Sequence, residues 1–152
     1  MQKLIIKGKN HINGYIEISG SKNATLPILA ASILFDEMVE IKNLPNVRDI
    51  DTMLNLLKSL GSKIKFSKNK KTVKIYKAKK QNYFPSYSLV KTMRAGILVL
   101  GPLISKYHKS ITSLPGGCLI GARPVNYHLL SLIHISEPTR RRGISYAVFC
   151  LK

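Results

Sequence analysis

Apolar and polar residues alternate in "KLIIKG" (3–8) and in "YIEISG" (15–20), on either side of "KNHING", and this period of two predicts a strand pair. The period then lengthens. In "SKNATLPILAASILFDEM" the residues Leu26, Ile28, Leu29, Ile33 and Leu34 suit a buried helix, with Pro27 tolerated near its first turn. "VEIKNLP" reads as a strand that stops at Pro45. "NVRDIDTMLNLLKSLG" reads as an amphipathic helix with Ile50, Met53, Leu54, Leu57 and Leu60 on one face and Gly61 as its stop. "SKIKFSKNKKTVKIYKAK" predicts a lysine-rich hairpin, Ile64 and Phe66 on one arm and Val73 and Ile75 on the other. After the link "KQNYFPS", the stretch "YSLVKTMRAGILVLGPLISKYH" is helical, bent or interrupted by Gly96, Gly101 and Pro102. "KSITSLPGG" is a strand, and "RPVNYHLLSL" starts a helix with Pro124 near its first turn.

Side by side, "VEIKNLPNV…RDIDTMLNLL" and "KSITSLPGGCLIGARPVNYHLL" share a strand, a Leu-Pro stop and a following helix, each preceded by a long apolar helix. This is an internal repeat with a period of about 70 residues, longer than that of solenoid units. The second copy differs by a longer connection containing Cys118, and an insertion on a repeated scaffold is where function tends to sit. From Leu130 the pattern breaks off without returning to the repeat. "LSLIHISEPTR" resembles one reading frame of a transposon-end adapter used in short-read library preparation, and "ISYAVFCLK" resembles the flow-cell end of it. Residues 130–152 are therefore expected to be an adapter translation, set apart from fold reasoning.

Composition narrows the classes. The 152 residues are one domain's worth, 45% hydrophobic with mean hydropathy near zero. No apolar run has the length of a membrane span and the start lacks a signal peptide's apolar centre, so a cytoplasmic protein is expected. Two cysteines do not make a disulfide scaffold, and His11, His108, His128 and His134 lack metal-ligand spacing. The net charge of +18 falls to +15 without residues 130–152. Much of that excess is lysine at exposed strand and turn positions, with few aromatics interleaved, so neither a nucleic-acid nor a membrane partner is expected. The positive field instead helps an anionic ligand arrive.

The candidate chemistry fits such a ligand. Lys22 sits in "GSKN" at the start of a helix, where backbone N–H groups and an ammonium together favour an anion, and Asn23 adds a neutral donor and acceptor. Lys91 and Arg94 are spaced to share one helical face, and with Arg123 they could complete a pocket for phosphates or a carboxylate. Cys118 follows Gly116 and Gly117, which let backbone approach a ligand. A thiol becomes a useful acid or nucleophile when its pKa, about 8.5 unperturbed, is adjusted by a cation or a helix N-terminus, and Arg123 with the following helix offers both. Asp49 and Asp51 read as helix N-terminal charges.

"GSKNATLPILAASIL", "DIDTMLNLLKSLG", "LVKTMRAGI" and "LPGGCLIGARPV" resemble, in this order, the N-terminal part of the enolpyruvyl transferase family, in its branch acting on UDP-N-acetylglucosamine. The resemblance implies an α/β fold of two inside-out barrels built from repeated helix–strand units. Residues 1–19 would then be strands packing with a second domain beyond this chain, and residues 20–129 an incomplete first domain. It implies transfer of the enolpyruvyl group of phosphoenolpyruvate to the sugar 3-hydroxyl, the committed step of peptidoglycan synthesis, without a cofactor or a metal. By the same resemblance Lys22 and Asn23 would bind phosphoenolpyruvate, and Arg94, Arg123, Pro124, Val125, Asn126 and Tyr127 the UDP-sugar. Cys118 would be the proton donor and fosfomycin target. Asn126 and Tyr127 stand where the family usually has Asp and Leu. The related 5-enolpyruvylshikimate-3-phosphate synthase is disfavoured by the "LPGGC" cysteine. A basic nucleic-acid-binding module is the alternative from another class.

Overall fold

Helix α2 (Arg48–Ser59) is the element around which the rest is packed. Asp49 and Asp51 in its first turn and Lys58 in its last complement the helix dipole. Its end is a Schellman motif: Gly61 takes φ 102°, its N–H donates to the Lys58 carbonyl, and the Ser62 N–H donates to that of Leu57. The face formed by Ile50, Met53, Leu54, Leu57 and Leu60 is fully buried, as the periodicity requires.

The computed structural model describes residues 3–8, 11, 13–77, 82–112, 125–132 and 148–151. Helix α1 (Lys22–Ala31) runs into a 3-10 turn, Ser32–Leu34, before β1 (Val39–Ile41). Leu26, Leu29 and Ile33 are buried as expected, whereas Ile28 and Leu34 face outward. Pro27 stands deeper in α1 than its first turn, so the Asn23 carbonyl lacks its usual i+4 donor. Strands β2 (Lys63–Phe66) and β3 (Val73–Tyr76) form the lysine-rich hairpin, and the antiparallel sheet order is β1-β3-β2. The register sets Ile64 opposite Ile75 and Lys65 opposite Lys74, one face for the core and one for solvent. Val73 and Ile75 close the core against α1 and α2.

The second copy follows. Helix α3 (Tyr87–Thr92), a 3-10 turn (Arg94–Val99) and α4 (Leu100–Tyr107) lead to β4 (Lys109–Thr112), and a helix α5 spans 126–132. β1 and β4 begin at Val39 and Lys109, the spacing of the repeat. Ile97, Leu100 and Ile104 pack with Val125 and Leu129 in a second cluster. β4 pairs in parallel with β5 (Val148–Leu151), Lys109 opposite Val148 and Thr112 opposite Leu151. The strand of the second repeat is thus flanked by one from residues 130–152, where β1 has the antiparallel β3.

Two further expectations are corrected. Described residues in 3–8 and 13–19 form no strand pair; they are irregular, with Leu4, Ile5, Ile6, Tyr15, Ile16 and Ile18 exposed. Alternation provides an apolar face, but a two-stranded ribbon needs a layer to cover that face. Lys91 and Arg94 do not share a helix face either, because Met93 is extended (φ −137°, ψ 120°) and separates α3 from the 3-10 turn. Gly96 is seated against Val90, where an added Cβ would lie 3.1 Å from the Val90 Cα.

The copies are tied by charge as well as by core. Asp36 receives Lys77 at 2.7 Å and Lys106 at 2.9 Å. The hydrogen bond from Lys77 and then that from Lys106, with their charges, lower the Asp36 carboxyl from 3.8 to about 2. In the unfolded chain the carboxyl takes up its proton first as pH falls. Its stabilising contribution is therefore complete above about pH 4 and lost toward pH 2. Urea midpoints measured from pH 5 to pH 2 should fall less steeply in Asp36→Asn than in the wild type.

Candidate active site

Lys22 and Asn23 open α1, and both are exposed. Their backbone is fixed from behind. Gly20 lies so close to the Asn43 carbonyl that any Cβ there would overlap it, and Pro45 Cδ would lie 3.4 Å away. Asn43 itself turns through φ 56°, a conformation that Asn tolerates. The Thr25 hydroxyl donates to the Ser21 carbonyl at 2.8 Å, closing the first turn. Among the described residues no side-chain cap hydrogen bond closes the start of α1, and its first turn holds no acidic residue.

The Lys22 ammonium reaches across to Asp49 Oδ2, 2.9 Å away in the first turn of α2. The sequence reading missed this partner. Asp49 and Asp51 carry the same helix-end signature, and nothing along the chain distinguishes the one that meets a cation 27 residues earlier.

The 3-10 turn that begins with Arg94 packs against α1. Lys91 lies over the Tyr87 ring at 5.7 Å. Val125 is buried against α4 and its preceding turn, so its side chain belongs to the core. Asn126 and Tyr127 are exposed on the first turn of α5, and the Tyr127 carbonyl accepts from the Ser131 hydroxyl at 2.8 Å. Cys118, Arg123 and Pro124, with Gly116 and Gly117, lie outside the described residues.

A cavity of about 500 Å³ opens near the start of α2, lined by Glu17, Asn43, Pro45, Asp51, Phe66 and Lys71 among others. Lys22, Asn23 and Arg94 do not line it. Among the described residues no three His, Cys, Asp or Glu side chains gather as metal ligands. Nor is any described helix long and apolar enough to cross a membrane.

A helix–strand unit used twice, with Lys22 at the start of its first helix, defines an α/β protein. Residues 6–136 match the EPSP synthase (3-phosphoshikimate 1-carboxyvinyltransferase) family, and the chain belongs to it. Within that family, it is 57% identical over 132 residues to a UDP-N-acetylglucosamine 1-carboxyvinyltransferase from Pelagibacter ubique, covering 87% of this chain and 31% of that protein. It is 50% identical over 129 residues to the protein of the same name from Coxiella burnetii, covering 85% of this chain and 30% of that protein. The chain thus spans less than a third of the length of these curated relatives. The crystal structure of the enolpyruvyl transferase NikO from Streptomyces tendae superposes with a TM-score of 0.58 at 19% identity, over 66% of this chain and 23% of that one. That likeness bears out the fold class: a partial α/β fold of the enolpyruvyl transferase type.

Proposed function

We propose that the protein to which this chain belongs transfers the enolpyruvyl group of phosphoenolpyruvate to the 3-hydroxyl of UDP-N-acetylglucosamine in the cytoplasm of a bacterium. The observation that carries this reading is the 57% identity, over 132 residues, with a relative of that name. The uncapped start of α1 with Lys22 supports it, since a phosphate or carboxylate suits such a helix end.

In this reading Lys22 and Asn23 take phosphoenolpyruvate, while Arg94, Arg123, Pro124, Val125, Asn126 and Tyr127 hold the UDP-sugar. Cys118 gives a proton to the methylene carbon as the sugar hydroxyl, yielding its own proton to a base of the second domain, bonds through oxygen to the neighbouring enol carbon. The tetrahedral adduct then loses phosphate and returns a proton from the new methyl group, restoring the double bond. The cations stabilise phosphate and carboxylate charge throughout. Asn126 retains hydrogen bonding to the nucleotide without the usual charge. Residues 1–19 pack with a second domain that supplies further catalytic groups, residues 130–152 are an adapter translation, and the chain alone turns nothing over.

The test is to sequence the source locus through the codon for Leu129 and assay the product of the intact frame. Phosphate release that requires both phosphoenolpyruvate and UDP-N-acetylglucosamine is the expected result. Release that requires shikimate 3-phosphate instead would overturn the substrate assignment. A locus that encodes "LSLIHISEPTR" and then stops would overturn the adapter assignment.

A further inference from the structure

We propose that Asp49 is a positioning residue: its carboxylate, on α2, holds the Lys22 ammonium in place at the start of α1, ready for the anion. The inference rests on the reading of Lys22 as a phosphoenolpyruvate ligand and names what prepares that ligand.

Stability does not account for the pair. Its side chains are 47% and 42% exposed, and an ion pair at such exposure contributes about 0–1 kcal/mol to folding. Helix-end electrostatics do not account for it either. Asp51 shares the first turn of α2 and would serve the dipole equally, yet it makes no ion pair among the described residues. Asp49 instead spends its charge on a residue of another helix, beside the helix start that has neither a cap nor a carboxylate of its own.

Preorganisation does account for it. A lysine has four rotatable side-chain bonds, and freezing them opposes any contact the ammonium makes. One hydrogen bond to Asp49 Oδ2 at 2.9 Å orders the chain beforehand and leaves two ammonium protons for an incoming oxygen. Gly20 acts in the same direction, since its contact with Asn43 fixes the backbone two residues before Lys22.

The experiment compares the 152-residue chain with Asp49→Asn and Asp51→Asn. The first measurement is the order parameter of the Lys22 Cε methylene by NMR relaxation, with exposed Lys58 of α2 as the internal reference. Lys22 should be more restricted than Lys58 in the wild type and in Asp51→Asn, and as mobile as Lys58 in Asp49→Asn. Equal mobility of Lys22 and Lys58 in the wild type overturns the proposal, as does equal loosening by both substitutions. The second measurement is a phosphoenolpyruvate titration, in which Asp49→Asn should bind about fivefold more weakly. Unchanged or tighter binding by Asp49→Asn shows that the carboxylate merely competes with the anion, and overturns the proposal. A wild-type chain that restrains Lys22 through Asp49 yet binds no phosphoenolpyruvate supports the positioning role and counts against the substrate reading.

Discussion

Replacing Gly20 with alanine should lower the unfolding free energy of this chain by about 3 kcal/mol. The new Cβ would overlap the Asn43 carbonyl, with the Asn43 carbonyl carbon at 3.3 Å and Pro45 Cδ at 3.4 Å. The nearest obstructing atoms are backbone, so no rotamer change relieves the overlap. Asn43 is already turned to φ 56° between β1 and the start of α2, and its neighbour Leu44 is tied by its N–H to the Lys71 carbonyl at 2.8 Å. Either that connection or the entry to α1 must move. If the entry moves, Lys22 leaves Asp49, so the substitution should weaken anion binding as well as stability. Gly101→Ala is the control for added helix propensity and bulk. A Cβ at Gly101, in the first turn of α4, meets nothing within 4 Å, and this substitution should stabilise the chain by up to about 1 kcal/mol. Urea denaturation of both variants gives opposite signs if contact, rather than the loss of a glycine, sets the outcome.

The contrast between these two glycines also marks where the sequence stops being legible. Helix α2 was readable because its apolar period, its acidic first turn and its glycine stop all agree, and each of these is a local property. The hairpin and the repeat were readable for the same reason. The need for glycine at position 20 comes from a carbonyl 23 residues away in sequence, and no local pattern carries it. The sequence puts the interruption of the second helical stretch at Gly96, Gly101 and Pro102, yet the chain breaks at Met93, whose extended backbone no glycine or proline marks. "KLIIKG" and "YIEISG" show the opposite failure. Their alternation is a true strand signal, but a strand forms only where a partner edge and a covering layer exist, and neither is written into the segment itself. At the start of α1 the cation Lys22 was legible, whereas the carboxylate that pairs with it was not.

Lys106→Met should destabilise the chain by about 2–3 kcal/mol, more than a surface charge normally would. Lys106 is only 14% exposed, and its ammonium donates to the carbonyls of Ile33, Leu34 and Phe35 at 3.0, 3.1 and 3.0 Å while pairing with Asp36 at 2.9 Å. Those carbonyls end the first long helical run, where backbone acceptors lack helical donors and a cation is favoured by the dipole. Lys106 belongs to α4 of the second copy, so a single side chain closes the helix end of one repeat from the other. Methionine preserves much of the aliphatic stem and its packing and removes the donors, which isolates the polar part of the effect. Lys77→Met provides the comparison, because Lys77 pairs with the same Asp36 oxygen from a side chain that is 49% exposed. That substitution should cost much less than Lys106→Met, because an exposed ion pair contributes little. Equal losses from the two substitutions would mean that the shared carboxylate, and not the three carbonyls, is what Lys106 stabilises. A loss confined to Lys106→Met would place the tie between the repeats at the helix end.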